Sequence, residues 1–153
     1  MFNLSRLSGA NCAPLEAAQV DVWHSDASGR YSDVGSSTKG QQFLRGYQLT
    51  DAAGSARFLT IFPGWYGGRA VHLHFKIRST RVSASRYTFT SQLYFDGALT
   101  ERVFALEPYA RRGQRWMRNR DDGIFGEGGE RLLLAAQADG PGYSATFAIA
   151  LLV

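Results

Sequence analysis

Residues 63–77 read PGWYGGRAVHLHFKI, and their alternation decides the fold. With a period of two, Val71, Leu73, Phe75 and Ile77 fall on one side of an extended strand. Ala70, His72, His74 and Lys76 fall on the other. The first side is an apolar core face. The second carries two imidazoles whose Cα atoms would lie about 6–7 Å apart, since a strand rises about 3.3 Å per residue. Two rings at that spacing can converge on one metal ion. Ahead of the strand, Pro63 and three glycines form a turn that holds Tyr66 six residues before the first histidine.

Short strands separated by turn signals continue in both directions. AAQVDVWH (17–24) alternates, with Val20 and Val22 on one side, and DASGRYSD (26–33) is a turn-rich loop carrying Tyr31. FLRGYQLT (43–50) and SARFLTIF (55–62) flank DAAG, which predicts a hairpin with a glycine available for positive φ. FTSQLYFD (89–96) is a further strand. Leu99, Val103 and Leu106 stand at helical spacing after a cap position, predicting a short helix over 99–107. RLLLAAQA (131–138) and YSATFAIALL (143–152) close the chain as two strands around DGPG. The pattern predicts an all-β fold, an antiparallel β-sandwich with one or two short helices in loops. No repeat or low-complexity linker interrupts it, so residues 1–153 are expected to form a single domain.

Composition narrows the function classes. The 153 residues are 44% hydrophobic and 20% charged, a globular balance, and a chain of this size buries roughly 70% of its unfolded surface. No apolar run approaches the roughly 18 residues of a membrane helix, so no membrane partner is expected. The opening MFNLSRLSGANC lacks an apolar core, so no secretory signal is recognised. A single cysteine, Cys12, excludes an internal disulfide and is expected to be a free structural thiol. The net charge is +4, and the densest basic stretch is RRGQRWMRNR (111–120), with Trp116 interleaved and Asp121 and Asp122 following. It reads as a solvated face partly neutralised by its neighbours, able to collect anionic small molecules, and no nucleic-acid partner is expected.

Two neutral imidazoles alone select weakly among zinc, copper, nickel and iron. The neighbouring tyrosines change the choice. No carboxylate is placed comparably to Tyr31 and Tyr66, and no cysteine is near. A tyrosinate is a hard, anionic oxygen donor, so a set of two tyrosines and two histidines points to Fe(III). On the residues alone two other readings stay open: a metal-binding β-sandwich without turnover, and a His-x-His zinc or copper site. The lack of a placed Asp or Glu base argues against hydrolytic chemistry at such a site.

VDVWHSDASGRYSD (20–33), the segment from Leu44 to Phe75 and SQLYFDG (91–97) resemble the intradiol ring-cleavage dioxygenases, which open catechols between the two hydroxyls. The resemblance runs from about Pro14 to the last strand. It rests on a tyrosine in a glycine loop, a TD-x-x-G hairpin, a PG-x-Y turn and R-x-x-H-x-H, in that order. It implies a non-haem Fe(III) dioxygenase that uses O2 to convert catechol or substituted catechols to cis,cis-muconate-type diacids. The implied iron ligands are Tyr31, Tyr66, His72 and His74, with Tyr66 the releasable one. Arg69 matches the arginine that stabilises charge developing on the ring, and Gln92 the glutamine beside the substrate. The resemblance leaves His24, a further candidate ligand by residue type, as structural. Trp23 and Trp65 are expected to pack, with Trp65 walling the pocket, and Tyr47 and Tyr94 to serve as core or rim residues. NRDDGIF (119–125) and GYSATFAIAL (142–151) resemble the family's closing segments.

The chain departs from the catechol-cleaving branch in lacking its N-terminal helical segment, and resembles the core of the protocatechuate-cleaving branch or single-domain relatives found in secreted proteins. The second likeness points to export, but WHSD offers no partner thiol for Cys12, so the residues assign no localisation. Those relatives carry cysteines around the first strand, where this chain has Cys12 and, in WHSD, Ser25.

Overall fold

The computed structural model describes residues 1–8, 11–81, 83, 85–113 and 117–152. In chain order the strands are β1 (Phe2–Ser8), β2 (Asn11–Pro14), β3 (Gln19–Trp23), β4 (Arg45–Leu49), β5 (Ser55–Ala56), β6 (His72–Arg78) and β7 (Thr88–Phe95). Two helices follow, α1 (Gly97–Phe104) and the single turn α2 (Gly123–Gly126). Four short strands then end the chain: β8 (Leu133–Leu134), β9 (Gln137–Asp139), β10 (Gly142–Ser144) and β11 (Phe147–Leu152).

The histidine strand β6 is the centre of a five-stranded sheet in the order β4-β3-β6-β7-β8. Its alternation works as the sequence predicts: Val71, Leu73, Phe75 and Ile77 are all buried. In an antiparallel pair, residues directly opposite share a face. Val22 opposes Phe75 and Leu93 opposes Leu73, so three strands present one continuous apolar face. A second sheet, β11-β1-β2 with β5 also paired to β1, closes over it. Ala56 and Leu151 are buried in the shared core, and half-buried Phe147 stacks obliquely on Phe75 with ring centroids 5.8 Å apart. The result is a β-sandwich with few helices.

Three details differ from the sequence expectation. DAAG is a tight turn, with Asp51 Oδ1 accepting from the backbone N–H groups of Ala53 and Ser55 at 2.9 Å, but it is not a hairpin. The strands it joins belong to different sheets, β4 pairing β3 and β5 pairing β1. Thr50 explains the break: its buried hydroxyl donates to Leu15 O at 2.6 Å and accepts from Ala18 N–H at 2.9 Å, tying the end of β4 to the entry of β3. Residues 57–62 then leave the sheet, packing Phe58 and Phe62 on the core while Leu59 is fully exposed. Second, the sheets are mixed, because β11 runs parallel to β1 and β8 parallel to β7. The two predicted closing strands are four short ones, with β9 and β10 paired around Gly140 and Pro141. Third, the helix predicted over 99–107 is α1. Asp96 caps it by accepting from Leu99 N–H at 3.0 Å, and Leu99 and Val103 are buried. It stops before Glu107 because Pro108 disfavours helical backbone there, and Leu106 stays exposed.

Cys12 is exposed and unpaired. Among the described residues no helix is long and apolar enough to cross a membrane. In the basic stretch, exposed Arg111 pairs with Glu107 and exposed Arg118 with Glu101, as a solvated face would, whereas Trp116 lies outside the described residues. Tyr47 is exposed on the edge strand β4 rather than packed.

Leu73 separates the two histidines and points into the core. Leu73→Ala is expected to cost about 2–5 kcal/mol in urea unfolding. An unchanged midpoint would contradict the assignment of the two faces of β6.

Candidate metal centre

The polar face of the central sheet is assembled by strand register. Trp23 opposes His74, Gln92 opposes His74 from the other side, and Tyr94 opposes His72, so all five side chains share one face. The two tyrosines come from loops at the edge of this face. Asp26 builds the first loop: Oδ1 accepts from the backbone N–H groups of Ser28 and Arg30, both at 2.9 Å, and Oδ2 holds the Arg30 guanidinium. Tyr31 follows directly. The second loop turns at Pro63 and Gly64 and carries Tyr66.

Two glycines let these loops touch. A Cβ at Gly29, whose φ is +78°, would lie 2.0 Å from Trp65 O. A Cβ at Gly64 would lie 2.3 Å from Asp26 O. Any side chain at either position would force the loops apart. Ser25, buried, donates its hydroxyl to Gly64 O at 2.7 Å, and Gly64 N–H donates to Asp26 O at 3.1 Å. The spacing between Tyr31 and Tyr66 is therefore set by backbone contact.

At the centre, His72 Nε2 lies 3.0 Å from His74 Nε2 and 3.1 Å from Tyr66 Oη. His72 Nδ1–H donates to Ala70 O at 2.7 Å, which fixes the tautomer and leaves the lone pair on Nε2. The Trp23 ring stacks on His74, centroids 5.0 Å apart and planes within 7°. The Tyr31 ring lies 5.5 Å from that of Tyr66 and 6.0 Å from that of His74, and its buried Oη has no hydrogen-bond partner. A buried hydroxyl without a partner is costly. A cation among these four donors would satisfy the Tyr31 oxygen and both imidazole nitrogens together, so the residues fit a metal ion. Among the described residues no three His, Cys, Asp or Glu side chains gather, which leaves the phenols to complete the donor set.

Electrostatics agree with that fit. Burial pushes His72 down to about 4, and burial with the neighbouring His72 and Arg69 pushes His74 down to about 3, so both are neutral and able to ligate. Burial, reinforced by the Tyr66 phenol, pushes the Tyr31 hydroxyl well above its ordinary value. It ionises only where a cation takes the place of its proton.

Arg69 lies beside this centre in a network that sequence reasoning only half recovers. Its Nη2 donates to Gln92 Oε1 at 2.9 Å and to Tyr94 Oη at 3.4 Å, while Gln92 Nε2 donates to Tyr94 Oη at 2.7 Å. Its Nε donates to Asp122 Oδ2 at 3.0 Å. Asp122 is therefore no solvated neighbour of the basic stretch: it is 2% exposed. Burial alone would raise its carboxyl, but N–H bonds from Ala70, Arg69 and Phe125 outweigh that and hold it below the usual range. Tyr94, expected only to pack, contributes its hydroxyl. The signal available in the sequence was an aspartate just before GIF, a helix-capping pattern that says nothing of Arg69.

A cavity of about 480 Å³ opens over the centre, lined by Trp23, Val34, Thr38, Tyr31, Tyr66 and His74 among others. Trp23 walls it. Trp65, predicted for that part, is not in the lining and instead packs beneath the Arg112 guanidinium, 4.4 Å from its ring centroid. His24 stands apart, with Nδ1 on Ser25 O at 2.8 Å and Nε2 on Thr60 Oγ1 at 2.7 Å.

The profile of the family described as Dioxygenase matches residues 1–111. A protocatechuate 3,4-dioxygenase beta chain from Burkholderia cepacia is 35% identical over 95 residues, covering 55% of this chain and 39% of that protein. A chlorocatechol 1,2-dioxygenase from a Pseudomonas species is 29% identical over 103 residues, covering 56% and 39%. An intradiol ring-cleavage dioxygenase structure from Tetranychus urticae superposes with a TM-score of 0.82 at 27% identity, over 99% of this chain and 79% of that one. The chain belongs to the intradiol ring-cleavage dioxygenases. It spans about two fifths of the length of the curated relatives it matches. Within this intradiol dioxygenase the described polar face, the two loops and Arg69 meet at one place, and His24 lies outside it.

His24 supplies a pH test of the scaffold. Burial lowers its pKa, so below its ordinary value of about 6.5 the unfolded chain binds a proton that the folded chain refuses. That contribution is complete above about pH 6.5 and is lost as the pH falls below it. His24→Gln is expected to flatten part of the acid limb of stability measured by denaturant unfolding between pH 7 and 5. An unchanged slope would show that His24 titrates freely.

Proposed function

We propose that this chain holds Fe(III) through Tyr31, Tyr66, His72 and His74 and cleaves catechol-type rings between their hydroxyl-bearing carbons with O2. The observation that carries the reading is the meeting of His72 Nε2, His74 Nε2 and Tyr66 Oη beside the partnerless Tyr31 Oη. Two phenol oxygens and two neutral imidazoles suit a hard trivalent cation better than zinc or copper. The names of the curated relatives, chlorocatechol and protocatechuate dioxygenases, support a catechol-type substrate. When bound, ferric iron supplies the positive charge that stabilises a deprotonated catechol and activates its ring towards dioxygen.

The protein's own groups do the rest. The Ala70 carbonyl holds the His72 ring and Trp23 holds that of His74, so neither must be ordered at the moment of reaction. Tyr66 Oη, an anion once it ligates the ion, would take a proton from the arriving catechol, whereas the buried Tyr31 Oη would stay a ligand. Arg69, with Nη2 directed along Gln92, stabilises negative charge that develops on the ring. Gln92 orients the substrate edge, its own amide held by Tyr94. The cavity leaves room for ring substituents beside the centre.

The test is oxygen uptake by iron-loaded protein given catechol, read with product analysis. The expected result is one O2 consumed per catechol and both its atoms recovered in a ring-opened dicarboxylate. His72→Ala and His74→Ala are expected to fold but to lose iron and uptake. Iron-loaded protein that consumes no O2 across a catechol panel would leave a metal-binding module, and full iron occupancy in both histidine variants would break the ligand set.

A further inference from the structure

Two cations near the centre, Arg69 and Arg30, are each paired with a carboxylate, and the Arg69 pair is the more buried. Asp122 is 2% exposed and accepts from Arg69 Nε at 3.0 Å, Ala70 N–H at 2.8 Å, Ile124 N–H at 2.8 Å and Phe125 N–H at 3.2 Å. One carboxylate thus ties the turn before β6 to the start of α2. It also fixes the guanidinium, because Nε on Asp122 leaves Nη2 aimed at Gln92 Oε1 and Tyr94 Oη. Gln92 and Tyr94 stand opposite His74 and His72 in the sheet, so the guanidinium they hold lies beside the centre itself. The cation on the cavity wall itself, Arg30, is likewise tied to a carboxylate, Asp26, through Nε at 2.9 Å and Nη2 at 2.8 Å, while Arg69 stands off the wall. Arg112 lies over the Trp65 ring and is not on the wall.

A substituent carboxylate entering this cavity therefore meets one guanidinium on the wall and the field of a second beside the centre, and each already has an anion. A neutral ring loses nothing by that arrangement. Resting on the catechol reading above, we propose that Asp122 is a positioning and specificity-determining residue: it pins Arg69 against Gln92 and offsets part of its charge, so that the site selects catechols with uncharged substituents over catechols bearing a carboxylate. The role acts through Arg69, since Asp122 is buried behind it. Loss of the charge while the shape is kept should consequently improve binding of an anionic ligand, which no purely structural role for Asp122 would do.

The experiment is calorimetric titration of iron-loaded protein under nitrogen with catechol and with 3,4-dihydroxybenzoate. The wild-type chain is expected to prefer catechol by at least about tenfold, the effect of roughly one unit charge across a partly wetted pocket. Asp122→Asn keeps an oxygen for the Ile124 and Phe125 N–H groups and is expected to narrow that preference by about tenfold. Adding Arg69→Gln to it should restore the wild-type ratio. Arg69→Gln alone leaves a carboxylate without its partner and should widen the preference, so it decides the matter if circular dichroism shows that Asp122→Asn does not fold. The proposal is overturned by an unchanged ratio in Asp122→Asn, or in Arg69→Gln where that variant decides. It is overturned equally by wild-type protein that binds both compounds alike, or neither. Oxygen uptake is measured separately: tight binding without uptake would sink the dioxygenase reading while the binding ratio still judges Asp122.

Discussion

One strand, β6, must present an apolar face to the core and a polar face to the site, and the rest of the molecule answers to that constraint. Its apolar side chains complete the core between two sheets, and its two histidines face a site lined by aromatic rings. A strand with a period of two can serve both needs only if its register never slips, because a one-residue shift would place imidazoles in the core. Register is held by pairing with β3 over residues 74–78 on one side and with β7 over the whole strand on the other. The same pairing delivers Trp23, Gln92 and Tyr94 to the site face. The core and the centre are two sides of one hydrogen-bonded ladder.

The loops add what the sheet cannot. Phenols must approach the imidazoles from outside the ladder, and the two tyrosine loops reach that position by pressing their backbones together at Gly29 and Gly64. Buried Ser25 and the Asp26 turn then lock the contact. Asp122 plays the corresponding part on the far side, binding the turn that carries Arg69 to the C-terminal segment. A site whose parts come from residues far apart in the chain is in this way fixed by a small number of buried polar bonds, each of which would be expensive to leave unmade.

Much of this was legible in the sequence because it is local. The alternation over residues 70–77, the turn before Tyr66 and the loop before Tyr31 each announce themselves within a few residues, and the structure brings Tyr31, Tyr66, His72, His74, Arg69 and Gln92 together. What escaped is non-local. DAAG has the residues of a hairpin, yet Thr50 bonds to Leu15 and Ala18 and sends the next strand to the other sheet. The parallel pairing of β11 with β1 joins the two ends of the chain, which no window of sequence can reveal. Asp122 stands 53 residues from Arg69, so its partner could not be read from spacing. Trp23 and Trp65 were indistinguishable as aromatic residues near the site until register placed Trp23 on His74.

The central claim is that two phenol oxygens and two imidazoles of this chain share one ferric ion. The most direct measurement is the visible absorption spectrum of the iron-loaded protein, compared with Tyr31→Phe and Tyr66→Phe. A phenolate-to-iron charge-transfer band is expected in the wild-type protein, altered in each single variant and absent when both tyrosines are replaced. Iron-loaded wild-type protein with no visible band, or a band unchanged in the double variant, would contradict it.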